Sequence, residues 1–164
     1  MRSIRALNAL LRHKPKLKLS WLTDDLAVSR APFAREWTEI QRAGIRSVLD
    51  LRESGVSNTI PASSTLAFMH IPIEEYGAPT QDAMRRATAW VAERIVEGPV
   101  LIHCREGIGR SPLIACASLV RLGIPLADAY EILHRARIRV VFTEPQIQAL
   151  DRFAASRGST DSST

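Results

Sequence analysis

The chain has 164 residues, 46% hydrophobic and 24% charged, with 22 Lys and Arg against 17 Asp and Glu for a formal net charge of +5. That length accommodates one domain with a real core, and the composition excludes a low-complexity or fibrous chain. Two cysteines are too few for a disulfide scaffold, no apolar run approaches the roughly 18 residues of a membrane span, and the basic balance favours anionic ligands without naming one.

In chain order, Ile4, Leu7, Leu10 and Leu11 recur at helical spacing among Arg5, Arg12 and His13. This predicts a short basic amphipathic segment over 1–15, packed on the domain or, alternatively, lying at a membrane surface. Arg2, Arg5, Arg12 and Lys14 interrupt any signal-peptide core, so a cytoplasmic protein is expected. Residues 14–19, KPKLKL, alternate charge and apolar side chains like an edge strand. Trp21-Leu22 and Leu26-Ala27-Val28 read as strands around the turn Thr23-Asp24-Asp25. A helix then follows Pro32, with Phe33, Trp37 and Ile40 as its buried stripe and Gly44 as its stop.

Two further short strands, 45–51 and 66–73, precede a helix capped by Thr80 and running to about Glu97, with Met84, Ala87, Val91 and Ile95 on one face. After residues 100–122 a helix over about 126–137 buries Ala129, Ile132, Leu133 and Ala136, and Val140 to Phe142 is extended. Thr143-Glu144-Pro145-Gln146 is a capping-box pattern that opens a last helix to about Ala155, and 156–164, rich in Ser and Thr, reads as a disordered tail. Alternating strands and helices predict an α/β domain over 16–155. Its mainly parallel sheet is flanked by helices, and a ligand belongs at the carboxyl ends of the strands.

The chemistry concentrates in residues 100–112, VLIHCREGIGRSP. The run Val100-Leu101-Ile102 reads as a buried strand ending at His103-Cys104. Gly107 and Gly109 lie in a loop, and a helix starts near Pro112. A strand, a glycine-bearing loop and a helix start form an anion cradle, because loop amides and the positive end of the helix dipole converge there. That field favours the thiolate of Cys104, and Arg110 offers a planar fork suited to phosphate oxygens. Arg105, Glu106, Gly107, Ile108, Gly109 and Arg110 are the expected phosphate-binding residues. The residue types point to nucleophilic phosphoryl transfer through a cysteinyl phosphate, with no metal or other cofactor required.

The segment HCREGIGRS (103–111) resembles the His-Cys-five-residues-Arg-Ser/Thr signature of the protein tyrosine phosphatase superfamily. From about residue 20 to 153 the chain is similar to its small dual-specificity members, the compact bacterial and archaeal ones above all. The resemblance implies that His103 orders the loop and tunes the thiol, and that Ser111 hydrogen-bonds the departing thiolate. It further implies that Gln146 places the attacking water, although its capping role accounts for it equally well. Asp50 and Arg52, in a segment similar to the family's strand ending in Asn/Asp-Leu-Arg, are expected as structural partners. The family's general acid is an Asp between an Ile-Pro pair and an Ala/Val-Pro. In IPIEEYGAP (71–79) that position holds Glu75, a departure from the pattern, with Glu74 and then Asp82 as alternatives.

The resemblance implies a shallow pocket, with Tyr76 available to stack on an aryl ester, and a phosphorylated protein as substrate. A phosphoinositide phosphatase, an RNA 5′-phosphatase, a catalytically weak phosphate-binding module and a rhodanese-like sulfur transferase are the other readings. Glu106 counts against a highly anionic inositol headgroup, and no aromatic-basic pattern supports nucleic acid. His13, His70 and His134 have no companions at metal-ligand spacing. Cys116 is expected as a small buried residue on the helix after the loop, with a redox partnership to Cys104 as the alternative.

Overall fold

The computed structural model describes residues 16–54, 60, 61, 63–136 and 138–158. The amphipathic segment expected over 1–15 and the tail from 159 therefore lie outside the described residues. Among these residues five strands form one sheet: β1 (Ser20–Thr23), β2 (Leu26–Ser29), β3 (Ser47–Asp50), β4 (Ala67–His70) and β5 (Val100–His103). They are ordered β1-β2-β5-β3-β4. β1 and β2 form an antiparallel hairpin, and all other neighbours are parallel.

The three inner strands are short unbroken buried runs, LAVS, SVLD and VLIH, as a sheet covered on both faces requires. Successive side chains nevertheless part to opposite faces. Val100 and Ile102 join the larger core, whereas Leu101 joins Ala27, Val48, Trp37 and Ile40 in the smaller one.

Among the described residues five helices cover these faces: α1 (Trp37–Arg42), α2 (Gln81–Arg94), α3 (Arg110–Arg121), α4 (Leu126–Arg135) and α5 (Glu144–Gly158). α3 is buried all round from Arg110 to Val120, because α2, α4 and α5 pack against it and its remaining side faces the sheet. Leu113, Ile114 and Leu119 alone contribute on the order of 2 kcal/mol each by leaving water. Thr80 caps α2 as expected, its Oγ1 accepting from the Ala83 amide at 3.1 Å.

Several local expectations shift. Residues 16–19 form no strand; pairing begins at Ser20↔Val28, and Leu17 and Leu19 instead pack on the smaller core. The helix after Pro32 is a single 3-10 turn (Ala34–Glu36) followed by the short α1. Trp37 and Ile40 are buried, but Phe33 is 37% exposed and lies under the guanidinium groups of Arg30 and Arg35. On α4, Ala129 and Leu133 are buried, whereas Ile132 and Ala136 reach only partial burial. Val140 to Phe142 pairs with no strand; one bond, from the Val141 amide to the Ile108 carbonyl at 2.8 Å, seats it against the loop after β5. α5 continues to Gly158, three residues past its expected end. Among the described residues no helix is long and apolar enough to cross a membrane.

β5 lies between β2 and β3, with His103 in register with Ser29 on one side and Asp50 on the other. The chain reaches β5 from β4 through α2 and leaves it directly for α3, so the carboxyl end of this central strand opens on the start of that helix.

Candidate active site

The loop from Cys104 to Gly109 links β5 to α3, and its shape depends on Gly107. That residue has φ +75°, and a Cβ there would stand 2.6 Å from the Ser29 carbonyl carbon and 2.7 Å from the Arg30 nitrogen. The end of β2 thus presses the loop inward, and the Ala31 amide holds it by donating to the Arg105 carbonyl at 3.1 Å. In this position the Gly107 amide donates to the Cys104 sulfur at 3.2 Å, and Ser111 Oγ lies 3.3 Å from the same sulfur. No side chain caps the start of α3, so its first amides are left facing the crevice. Cys104, Gly109, Arg110, Glu75, Tyr76 and Gln146 line a small cavity of about 60 Å³, with Glu106, Ile108 and Val141 completing the wall.

Arg110 is nearly buried, and its Nη1 donates to the Ile73 carbonyl at 2.8 Å. That bond ties the guanidinium to the loop 71–79. The Ile71 and Ile73 amides continue the sheet direction by donating to the carbonyls of Asp50 and Leu51. Beyond them the Glu75 amide donates to the Glu53 carboxylate at 2.9 Å, and Tyr76 adopts φ +62° to complete the turn. The Glu75 carboxylate lies 3.4 Å from Arg105 and 4.0 Å from Arg110. Glu74 is exposed outside the cavity, and Asp82 sits in the first turn of α2 beside Arg85 at 3.7 Å. Of the three candidate acids, only Glu75 lines the cavity.

α5 closes the far side. The side-chain oxygen of Gln146 accepts from the Thr143 amide at 3.0 Å, while its nitrogen donates to the Gly77 carbonyl at 3.0 Å. Thr143 Oγ1 donates to the Tyr76 carbonyl at 3.2 Å, so only half of the expected capping box forms and the hydroxyl braces the acid-bearing loop instead.

His103 is fully buried, and that burial pushes its pKa down to about 4 against the pull of Asp50, so it is neutral near pH 7. Its Nδ1 lies 3.4 Å from the Cys104 carbonyl and 3.7 Å from Asp50, so the proton belongs on Nδ1. Nε2 has no hydrogen-bond partner, and the ring meets Trp37 edge-on. Burial raises the Asp50 carboxyl, but the hydrogen bonds and charge of Arg52 outweigh it and hold the group below the usual range. The Arg52 backbone and side chain reach Asp50 at 2.7–3.1 Å, which makes the two the structural partners expected. Cys116 is buried inside α3, and desolvation pushes its thiol up to about 12, which suits packing and not reactivity. Among the described residues no cluster of His, Cys, Asp and Glu could hold a metal ion.

The chain thus gathers Cys104, Arg110, Glu75 and Gln146 around one cavity, with Ser111 buried behind the Cys104 sulfur, His103 behind the strand end, and the side chains of Arg105 and Glu106 exposed. Sequence reasoning missed Glu53, which holds the acid-bearing loop through a backbone amide, and the Arg30–Glu36 pair at 2.7 Å beside the Gly107 contact. Neither contact leaves a periodic or spaced signal in the chain.

A family model described as "Polymorphic toxin system, DSP-PTPase phosphatase" matches residues 26–124. A Dictyostelium discoideum protein named as a probable dual specificity protein phosphatase is 29% identical over 102 residues, 60% of this chain and 26% of its own. A probable protein tyrosine phosphatase type IVA B of the same organism is 30% identical over 84 residues, covering 48% of this chain and 51% of its own. The chain therefore spans about half or less of these two relatives. Among solved structures, Tk-PTP in its active form superposes with a TM-score of 0.74 at 29% identity, over 87% of this chain and 98% of that one. Human DUSP28 superposes at 0.76 with 17% identity, over 87% and 99%, a likeness of fold alone.

Proposed function

Since the chain belongs to the DSP-PTPase phosphatase family, we propose that it hydrolyses phosphomonoesters through a cysteinyl phosphate, with phosphorylated proteins as substrates in the manner of tyrosine and dual-specificity phosphatases. The observation that carries this reading is the convergence of the Gly107 amide and Ser111 Oγ on the Cys104 sulfur, beside the Arg110 guanidinium, in one cavity.

In the first step the Cys104 thiolate attacks phosphorus, an S–P bond forms and the P–O bond to the leaving group breaks. Glu75 gives its proton to the departing oxygen. Arg110 and the loop amides from Arg105 to Gly109 hold the equatorial oxygens, whose charge must be stabilised most at the transition state. In the second step water placed by Gln146 attacks phosphorus and returns its proton to Glu75, while the S–P bond breaks. Ser111 donates to the departing thiolate, and inorganic phosphate leaves. His103 remains neutral throughout and fixes the strand end.

The small cavity and the largely exposed ring of Tyr76 at its rim favour a shallow site open to more than one phosphorylated residue type. A catalytic thiol works in a reducing compartment, which is why we place the protein in the cytoplasm. Hydrolysis of p-nitrophenyl phosphate in the presence of EDTA tests the reading. Activity is expected, and Cys104→Ser should lower it by roughly 10⁴-fold or more; a Cys104→Ser variant as active as the parent would overturn the assignment.

A further inference from the structure

A second groove, of about 280 Å³, begins on the other side of the phosphate loop. Glu106 and Ile108 line both it and the catalytic cavity, so the two are continuous at the loop. Its floor includes Val28, Ile108 and Ile138, while Lys16, Lys18 and Arg139 stand along its walls. All three cations are exposed, and none forms an ion pair or hydrogen bond among the described residues. Arg30, which also lines the groove, and the nearby Arg52 and Arg105 differ in this respect, since each pairs with a carboxylate. The proposed reaction makes no use of the three cations, and no described residue pairs with them.

We infer that this groove binds the acidic flank of a phosphorylated polypeptide, selecting substrates with Asp and Glu beside the phosphoresidue. The inference rests on the phosphatase reading and narrows its substrate class. Against the single carboxylate of Glu106, three cations unpaired among the described residues complement the carboxylates of a peptide and raise the local concentration of an anionic partner. The aliphatic floor suits the stems and backbone of an extended peptide. No aromatic ring lines the groove, so the stacking platform that single-stranded RNA needs is missing there.

Three substrates on the 164-residue chain test it: a phosphopeptide with Asp/Glu flanks, the same peptide with Ala flanks, and p-nitrophenyl phosphate, with a 5′-phosphorylated oligoribonucleotide as competitor. The acidic peptide should exceed the neutral one in kcat/KM by about tenfold at low salt, with the advantage shrinking as ionic strength rises. The triple variant Lys16→Glu/Lys18→Glu/Arg139→Glu should abolish the difference and leave p-nitrophenyl phosphate hydrolysis unchanged, which also shows that it folds. Fluorescence anisotropy of a labelled acidic phosphopeptide reads the groove without turnover and should weaken about tenfold in the same variant. Equal kcat/KM for both peptides, equal binding in the triple variant, or displacement of the acidic peptide by the oligoribonucleotide in preference to itself overturns the inference. Loss of p-nitrophenyl phosphate hydrolysis in the parent protein overturns the catalytic reading instead, whatever the anisotropy shows.

Discussion

The phosphate loop and the acid-bearing loop face each other across one cavity and are held in contrasting ways. The first is shaped from within: a strand ends at His103, a helix starts at Arg110, and the backbone between them is pressed into place by the end of β2 against Gly107. The second lacks regular structure and borrows its shape. Arg110 holds the Ile73 carbonyl, Glu53 the Glu75 amide, Thr143 the Tyr76 carbonyl and Gln146 the Gly77 carbonyl, and most of these partners lie far away in the chain. The loop after β5 is thus held largely by its own strand and helix, while the loop 71–79 depends on the rest of the domain, Arg110 included.

That contrast can be broken at its centre. Arg110→Lys keeps the charge but removes both the fork to phosphate and the planar donor to Ile73. It should lower kcat/KM by about 10³-fold, the scale of losing a main transition-state donor. Retention of parental activity in steady-state assays would contradict the shared role of this residue. Glu75→Gln leaves the phosphate loop alone and should reduce kcat by roughly 10²-fold or more for alkyl phosphates, and much less for aryl phosphates with good leaving groups. Equal losses on both substrate types would move the acid elsewhere. Gly107→Ala strikes the loop after β5 directly, since its Cβ would meet the backbone of Ser29 and Arg30 at φ +75°. A displacement of the order of an ångström should lower kcat by about 10²-fold, with a burst of nitrophenol reporting whether attack or hydrolysis suffers.

The smallest effect concerns the support behind that loop. His103 titrates near 4 in the fold against an ordinary value of 6.5. As pH falls through that window the unfolded chain takes up a proton that the native chain refuses, so stability present above about pH 6.5 is progressively lost. The full window is worth on the order of 3 kcal/mol. Asp50 and Glu36, both held below the usual carboxylate range, add to the loss only at lower pH. Urea unfolding at pH 7 and pH 5 should show the decline, and His103→Gln should flatten it. A parent protein equally stable at both values would mean that the ring is solvated in the native state.

How much of this was legible follows the same division. The anion cradle was readable from HCREGIGRS because its parts are contiguous: a buried run, two glycines, an arginine and a helix start within a dozen residues. The strands LAVS, SVLD and VLIH were readable because burial on both faces demands unbroken apolar stretches. Short amphipathic patterns were less reliable. KPKLKL alternates like a strand, yet its described residues 16–19 form none, and Phe33 fits a helical stripe yet lies under two guanidinium groups. The choice of Glu75 over Glu74 as the residue facing the cavity could not be made locally, since adjacent glutamates in a loop are equivalent until the backbone turns.

The chain alone therefore determined the parts whose physics is local: the glycine-bearing cradle around Cys104, the alternation of strands and helices, and the cap at Thr80. Tertiary structure decided what depends on approach between distant segments. It selected which glutamate meets Arg110, turned Thr143 from a helix cap into a brace, took away the water that would let His103 protonate, and brought Lys16, Lys18 and Arg139 together along one groove. The reason is one of range: backbone preference and hydrophobic periodicity act over a few residues, whereas desolvation and charge pairing are properties of neighbours that only folding brings together.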